Sequence, residues 1–209
     1  MAFNAGHVWD VDYTDPESVS KGILRGRELA RQMYKAFIKY EPKAFANSYL
    51  VETAPILGAR ESRRIIGDYI FTLEDFLNRQ SFPDEIGRNC YYIDIHKSPE
   101  ENITMKEHSD FRYERYKAGE SHGVPYRVLC PRDLDNVLVA GRTVSTDRIT
   151  QGSLRVMPCC LVEGEAAGMA AKFACEMDMV NIHKVDTQRL RRRLIEEGGY
   201  LPKLPTDTF

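Results

Sequence analysis

Residues 136–176 constrain this chain more than any other stretch. They read Asn136-Val-Leu-Val-Ala-Gly-Arg142, then Gln151-Gly-Ser-Leu-Arg-Val-Met-Pro158, then Cys159 to Glu176. The pattern predicts strand, turn, polar loop and helix. Val137 to Ala140 is short, apolar and rich in β-branched residues, bounded by Asp135-Asn136 and Gly141, as in a strand buried on both faces. Gly141 and Gly152 let a backbone approach something closely. Pro158 suits a first helical turn. Gly164, Ala166, Ala167, Gly168, Ala170, Ala171 and Ala174 would let the helix lie close on a sheet. Main-chain N–H groups running into a helix start can hold an anionic or polar cofactor group. The alternative is an unliganded βα unit of any α/β protein.

Composition narrows the partners. A chain of 209 residues holds one large domain or two small ones. Its net charge of −2 steers it toward neither nucleic acid nor an anionic membrane. Five cysteines, an odd count without C-x-x-C, argue against a disulfide framework. The vicinal Cys159-Cys160 pair reads as buried reduced thiols, and no metal-ligand set is singled out. No apolar run approaches the ~20 residues of a membrane span, and Met1 to His7 has no signal-peptide character. The expected location is cytoplasmic.

Local signals order the rest. Residues 6–13 offer a weak strand. Asp15-Pro16 caps a helix to about Tyr40, ended by Glu41-Pro42. Residues 48–53 suit a strand. Thr72-Leu-Glu-Asp75 resembles a capping box. Asn89 to His96 alternates as a half-buried strand, residues 97–119 form a long polar excursion, and residues 123–131 form another strand. Asp186 caps a last helix stopped by Gly198-Gly199, with Leu190 and Leu194 inward and Arg189 and Arg191 to Arg193 on a solvated face. Between these lies Gly58-Ala-Arg-Glu-Ser-Arg-Arg64, three arginines and a glutamate before an apolar run. Such charges line a cleft that grips carboxylate or phosphate, or else form a surface turn of ion pairs.

Several separated motifs then carry a family resemblance. Pro55-x-x-Gly58-x-Arg60-Glu61-Ser62-Arg63-Arg64-Ile65-x-Gly67-x-Tyr69, Val124-Pro-Tyr-Arg127, Asn136 to Arg142, Gly152-Ser-x-Arg-Val-Met-Pro158 and the tail Asp186 to Leu201 occur in this order. Together the chain resembles the C-terminal half of the bacterial FAD-dependent oxidoreductases of the FAD-oxidored family, relatives of glutathione-reductase-like and fumarate-reductase-like flavoproteins. The resemblance implies an α/β fold with an α+β substrate part. A mixed-sheet substrate or cap domain would span residues 1–132, the returning portion of a Rossmann-like FAD-binding domain residues 133–180, and a helical tail residues 181–209. It implies FAD as cofactor, with Gly141, Arg142, Gly152, Ser153, Arg155, Val156, Met157 and Pro158 near the flavin. Arg155 would be the cation at the N1–O2 edge, where reduction places negative charge. Arg60, Glu61, Arg63 and Arg64 would meet a small anionic substrate, with Arg60 gripping its oxyanion. His96, His122 and Tyr126 would carry protons.

One departure stands out. Flavoproteins of this kind hold the pyrophosphate on a strand followed by G-x-G-x-x-G. No such motif occurs in the 209 residues; Gly22-Ile-Leu-Arg-Gly26 does not fit it. The expectation is therefore a missing N-terminal βαβ unit, on another chain or lost. Competing readings are a non-catalytic remnant or interaction subunit, self-associating to cover its open edges, and an unrelated anion-binding module at Gly58 to Arg64.

Overall fold

A computed structural model describes residues 3, 6–95 and 115–209. The chain divides into two compact units, residues 1–62 and 63–209. The first is built on α1 (Pro16–Tyr40). Asp15 starts it by accepting the Glu17 N–H, so one of the free N–H groups of the first turn is satisfied. Pro42 opens the short α2 (Pro42–Phe45), whose Phe45 ring stacks on Phe37 of α1 at 4.9 Å. Residues 6–13 and 48–53, expected as strands, form no ladder among the described residues. Segment 48–53 instead follows α1, where the Tyr34 hydroxyl donates to the Ser48 carbonyl at 3.2 Å.

The second unit contains α3 (Leu73–Leu77), β1 (Glu85–Asn89), β2 (His122–Pro125), α4 (Gln151–Leu154), α5 (Met157–Cys175) and α6 (Thr187–Glu196). Thr72 and Asp75 form the expected capping box at α3. β1 and β2 pair antiparallel, Asn89 opposite His122 and Glu85 opposite Pro125, with an irregularity between Glu85 and Gly87. Helices and a small sheet make the unit a mixed α/β arrangement; the described residues hold no other multi-residue ladder. Around it, residues 65–72 lie between two other stretches. Asp68 N–H bonds the Cys130 carbonyl at 3.0 Å, and Phe71 N–H bonds the Ser145 carbonyl at 3.1 Å. Phe71, Phe76, Ile86, Val124, Val128, Leu129, Leu154, Ala166, Ala170, Leu190 and Leu194 make one core. Each large apolar side chain among them stabilises the fold by about 1.5–3 kcal/mol.

Three expected strands are corrected here. Residues 90–95 follow β1 as irregular chain, and residues 126–129 leave β2 as a tight turn of 3-10 helix. Residues 137–140 are irregular too, with Val137 38% exposed. None of the three joins a ladder among the described residues. Val139 N–H finds the Leu129 carbonyl at 2.8 Å, but no ladder continues on either side. Among the described residues no helix is long and apolar enough to cross a membrane.

Candidate functional site

The loop and helix start at residues 141–160 are held from two sides. On one side, residues 89–95 dock onto α4. Asn89 donates to the Ser153 carbonyl and hydroxyl oxygens at 3.2 and 3.0 Å. The Ser153 hydroxyl donates to the Tyr91 carbonyl at 2.6 Å. Arg155 donates to the Asp94 carbonyl at 2.6 Å, with the Asp94 carboxylate 3.7 Å away. Gly152 is required by this docking. A Cβ there would lie 2.9 Å from Ile95 Cγ1 and 3.2 Å from the Asp94 backbone N and O. The close approach anticipated at Gly152 is thus made by the chain's own backbone.

On the other side, Gly141 takes φ +90°, a left-handed conformation that favours glycine. Its N–H donates to Glu163 Oε2 at 2.7 Å. Glu163 is fully buried within α5 and also accepts from the Cys159 thiol at 3.4 Å. Burial pushes its carboxyl up to about 8, against the opposing pull of those two hydrogen bonds. Sequence reasoning missed Glu163. The signal was its register: Cys159, Glu163, Ala166 and Ala170 share the buried face of α5.

The α5 N-terminus lies between these anchors. Val156 is its N-cap and makes no side-chain cap bond, and no acidic residue occupies the first turn. A 19-residue helix therefore presents its positive end without an internal counter-charge. The Arg142 and Arg155 guanidiniums add to that field. The thiol of Cys160, one turn in, is pushed up to about 11 by burial, then by Glu163, while both arginines pull it down. Met157 is 81% exposed and Leu161 is exposed. Pro158 sits in the first turn, as anticipated.

His122 is fully buried, its Nδ1 paired with the Tyr116 hydroxyl and its ring 4.9 Å from that of Phe71. Its Nε2 has no hydrogen-bond partner among the described residues. Burial, reinforced by Arg88 and Arg79, pushes its pKa down to about 3, so the ring is neutral at physiological pH. Tyr126 is buried and donates to the Ile182 carbonyl at 2.8 Å; burial raises its pKa far above the ordinary phenol value. That hydroxyl is engaged as a core tie. His96 lies outside the described residues. Arg60 and Glu61 belong to the first unit, and Arg63 and Arg64 to the second.

The model of the FAD-dependent oxidoreductase family matches residues 1–194. The chain belongs to that family. Its cofactor is accordingly FAD. No curated protein and no solved structure matches the chain. The residues present fit one part of FAD. An uncapped helix N-terminus flanked by two arginines suits an anionic edge such as that of a reduced flavin. The pyrophosphate finds no G-x-G-x-x-G turn within these residues.

Proposed function

We propose that residues 141–158 face the flavin in an oxidoreductase that moves a hydride between FAD and a small anionic organic substrate. The observation that carries this reading is the uncapped, acid-free start of α5 between Arg142 and Arg155. Bound FAD supplies the redox chemistry. The chain's own residues tune and position. The α5 N-terminus and the two arginines favour negative charge beside Met157. Glu163 holds Gly141 in its turn through the Gly141 N–H. Exposed Met157 offers an apolar surface to a ring. Arg60, Glu61, Arg63 and Arg64 form the substrate-recognition segment, where guanidinium forks select carboxylate. His122, neutral and buried, orients the surrounding rings.

In this reading residues 1–132 serve as the substrate cap, residues 133–180 as the returning part of a Rossmann-like FAD-binding domain, and residues 181–209 as a helical tail. Polypeptide beyond these residues, on this or a partner chain, supplies the pyrophosphate turn. Co-expression with that polypeptide should give a yellow complex, and the 209 residues alone should bind FAD more weakly than micromolar. A folded but colourless complex would overturn the proposal. One observation favours a second reading, an interaction subunit without catalysis: Ser153 and Arg155 are already bonded to residues 91 and 94. A yellow complex that fails to reduce its flavin with any small organic acid would support that reading.

A further inference from the structure

We propose that Asp68, Cys130 and His183 bind a divalent cation of the zinc class, with a fourth coordination position open to solvent. One ligand atom from each residue lies within 4.8 Å of the other two. The three come from distant parts of the second unit, and their spacing forms no sequence motif. The fold brings them together through specific bonds. The Gly67–Pro131 bridge and the Asp68 N–H to Cys130 carbonyl bond set Asp68 beside Cys130. The Tyr126 hydroxyl donates to the Ile182 carbonyl, and the Ile182 N–H donates to the Asp135 carbonyl at 2.8 Å. Asn181 then caps the turn at residues 182–184 by accepting the His183 N–H at 3.0 Å. These bonds deliver the imidazole to Asp68.

His183 Nδ1 lies 2.6 Å from Asp68 Oδ2, and Nε2 lies 3.2 Å from the Leu134 carbonyl oxygen, with Asp135 Oδ1 3.9 Å away. The Leu134 contact is the usual way a metal-bound histidine is oriented: the far N–H donates to a backbone carbonyl, and the other nitrogen's lone pair faces the ion.

Cys130 favours the metal. Its side chain is fully buried, and Sγ donates to the Tyr126 carbonyl at a weak 3.8 Å. Burial pushes the free thiol up to about 12, and a bound metal ion would hold the sulfur as thiolate. A set of one sulfur, one nitrogen and one carboxylate oxygen suits zinc. The side chains of His183 and Asp68 are 21% and 28% exposed, which leaves a solvent-side entrance and room for a water ligand. Bond lengths of about 2.0–2.3 Å place tetrahedral ligand atoms roughly 3.3–3.8 Å apart. The Asp68–His183 pair would therefore open by about 1 Å on binding. The Cys130 proton leaves to solvent as the metal–sulfur bond forms. The bound ion would tie residues 182–184 to Asp68 and Cys130.

The test uses the whole chain without a histidine tag, stripped with a chelator and titrated with cobalt(II). One equivalent should bind with a thiolate-to-cobalt charge-transfer band and the visible bands of four-coordinate cobalt. Zinc should bleach the spectrum and raise the melting temperature. Asp68→Asn, nearly isosteric and partly exposed, should weaken cobalt binding at least tenfold. Cys130→Ala should remove the charge-transfer band, with folding checked by circular dichroism. If folded wild-type protein gives no such band, the proposal fails. It fails equally if the band survives in Cys130→Ala, which would place the cobalt on other thiols. It also fails if one equivalent of zinc leaves the His183 ring resonances unchanged, which would show that the ring takes no part in binding.

Discussion

Arg191 is the residue whose loss should cost the second unit most. Its side chain is 0% exposed, and each nitrogen is engaged away from water. Nε and Nη2 donate to the two carboxylate oxygens of Asp207 at 2.9 and 3.1 Å. Nη1 donates to the Glu85 carbonyl at 2.9 Å and lies 3.7 Å from Glu85 Oε1, an atom with no hydrogen-bond partner among the described residues. Nη2 also reaches the Pro202 carbonyl at 3.2 Å. Arg191→Met keeps the apolar stem and deletes the charge. Asp207 then loses both of its guanidinium bonds, and Glu85 retains only Arg88 and the Phe82 N–H on its other oxygen. Removing one partner from a buried ion pair costs about 3–5 kcal/mol. Glu85 is already pushed up by burial and can take up a proton, which favours the lower end. At roughly 2–4 °C per kcal/mol for a domain of this size, a loss of about 3 kcal/mol lowers Tm by roughly 6–12 °C. Thermal unfolding followed by circular dichroism reads the change, with exposed Arg192→Met as a control near zero. A loss below about 1 kcal/mol, the range of exposed ion pairs, would refute the reasoning.

Two further predictions follow from burial. Glu163, raised to about 8 when folded, keeps a proton that the unfolded chain has already released. Stability should therefore fall as pH rises from 6.5 to 8, by on the order of 2 kcal/mol, and Glu163→Gln should flatten that slope. His122 adds nearly nothing in this window. Its folded value is about 3, so its destabilising effect enters as pH falls below 6.5, when the unfolded chain takes up the proton. Urea unfolding across the two windows checks both signs; equal slopes for wild type and Glu163→Gln would contradict the first. Gly152→Ala should cost about 1–3 kcal/mol in the same assay because the backbone at Asp94 must retreat. An unchanged midpoint would show that residues 89–95 do not bear on α4.

What was legible in the sequence was local. Asp15, Thr72 with Asp75, and Asp186 announce helix starts because a cap acts within three residues, and all three cap as expected. Leu190 and Leu194 face inward for the same reason. Strands at residues 48–53 and 137–140 were misread because β-branched runs only record a capacity for pairing, and the partner lies elsewhere in the chain. Arg191 was read as part of a solvated basic run. Its neighbours Arg189, Arg192 and Arg193 are exposed, but Glu85 and Asp207, distant in sequence, draw Arg191 inside. The site divides the same way. The helix start beside Pro158 was visible from local sequence, whereas residues 151–154, expected as loop, form α4. The Asp94 carbonyl that takes Arg155 and the Glu163 that takes Gly141 were not visible, because both contacts depend on tertiary packing.

The central claim is that the start of α5 faces FAD. Amide hydrogen exchange on the assembled flavoprotein, with and without FAD, tests it most directly. FAD should slow exchange at the Met157 and Cys159 amides. Equal exchange at residues 151–160 in the two states, with FAD demonstrably bound, would contradict it.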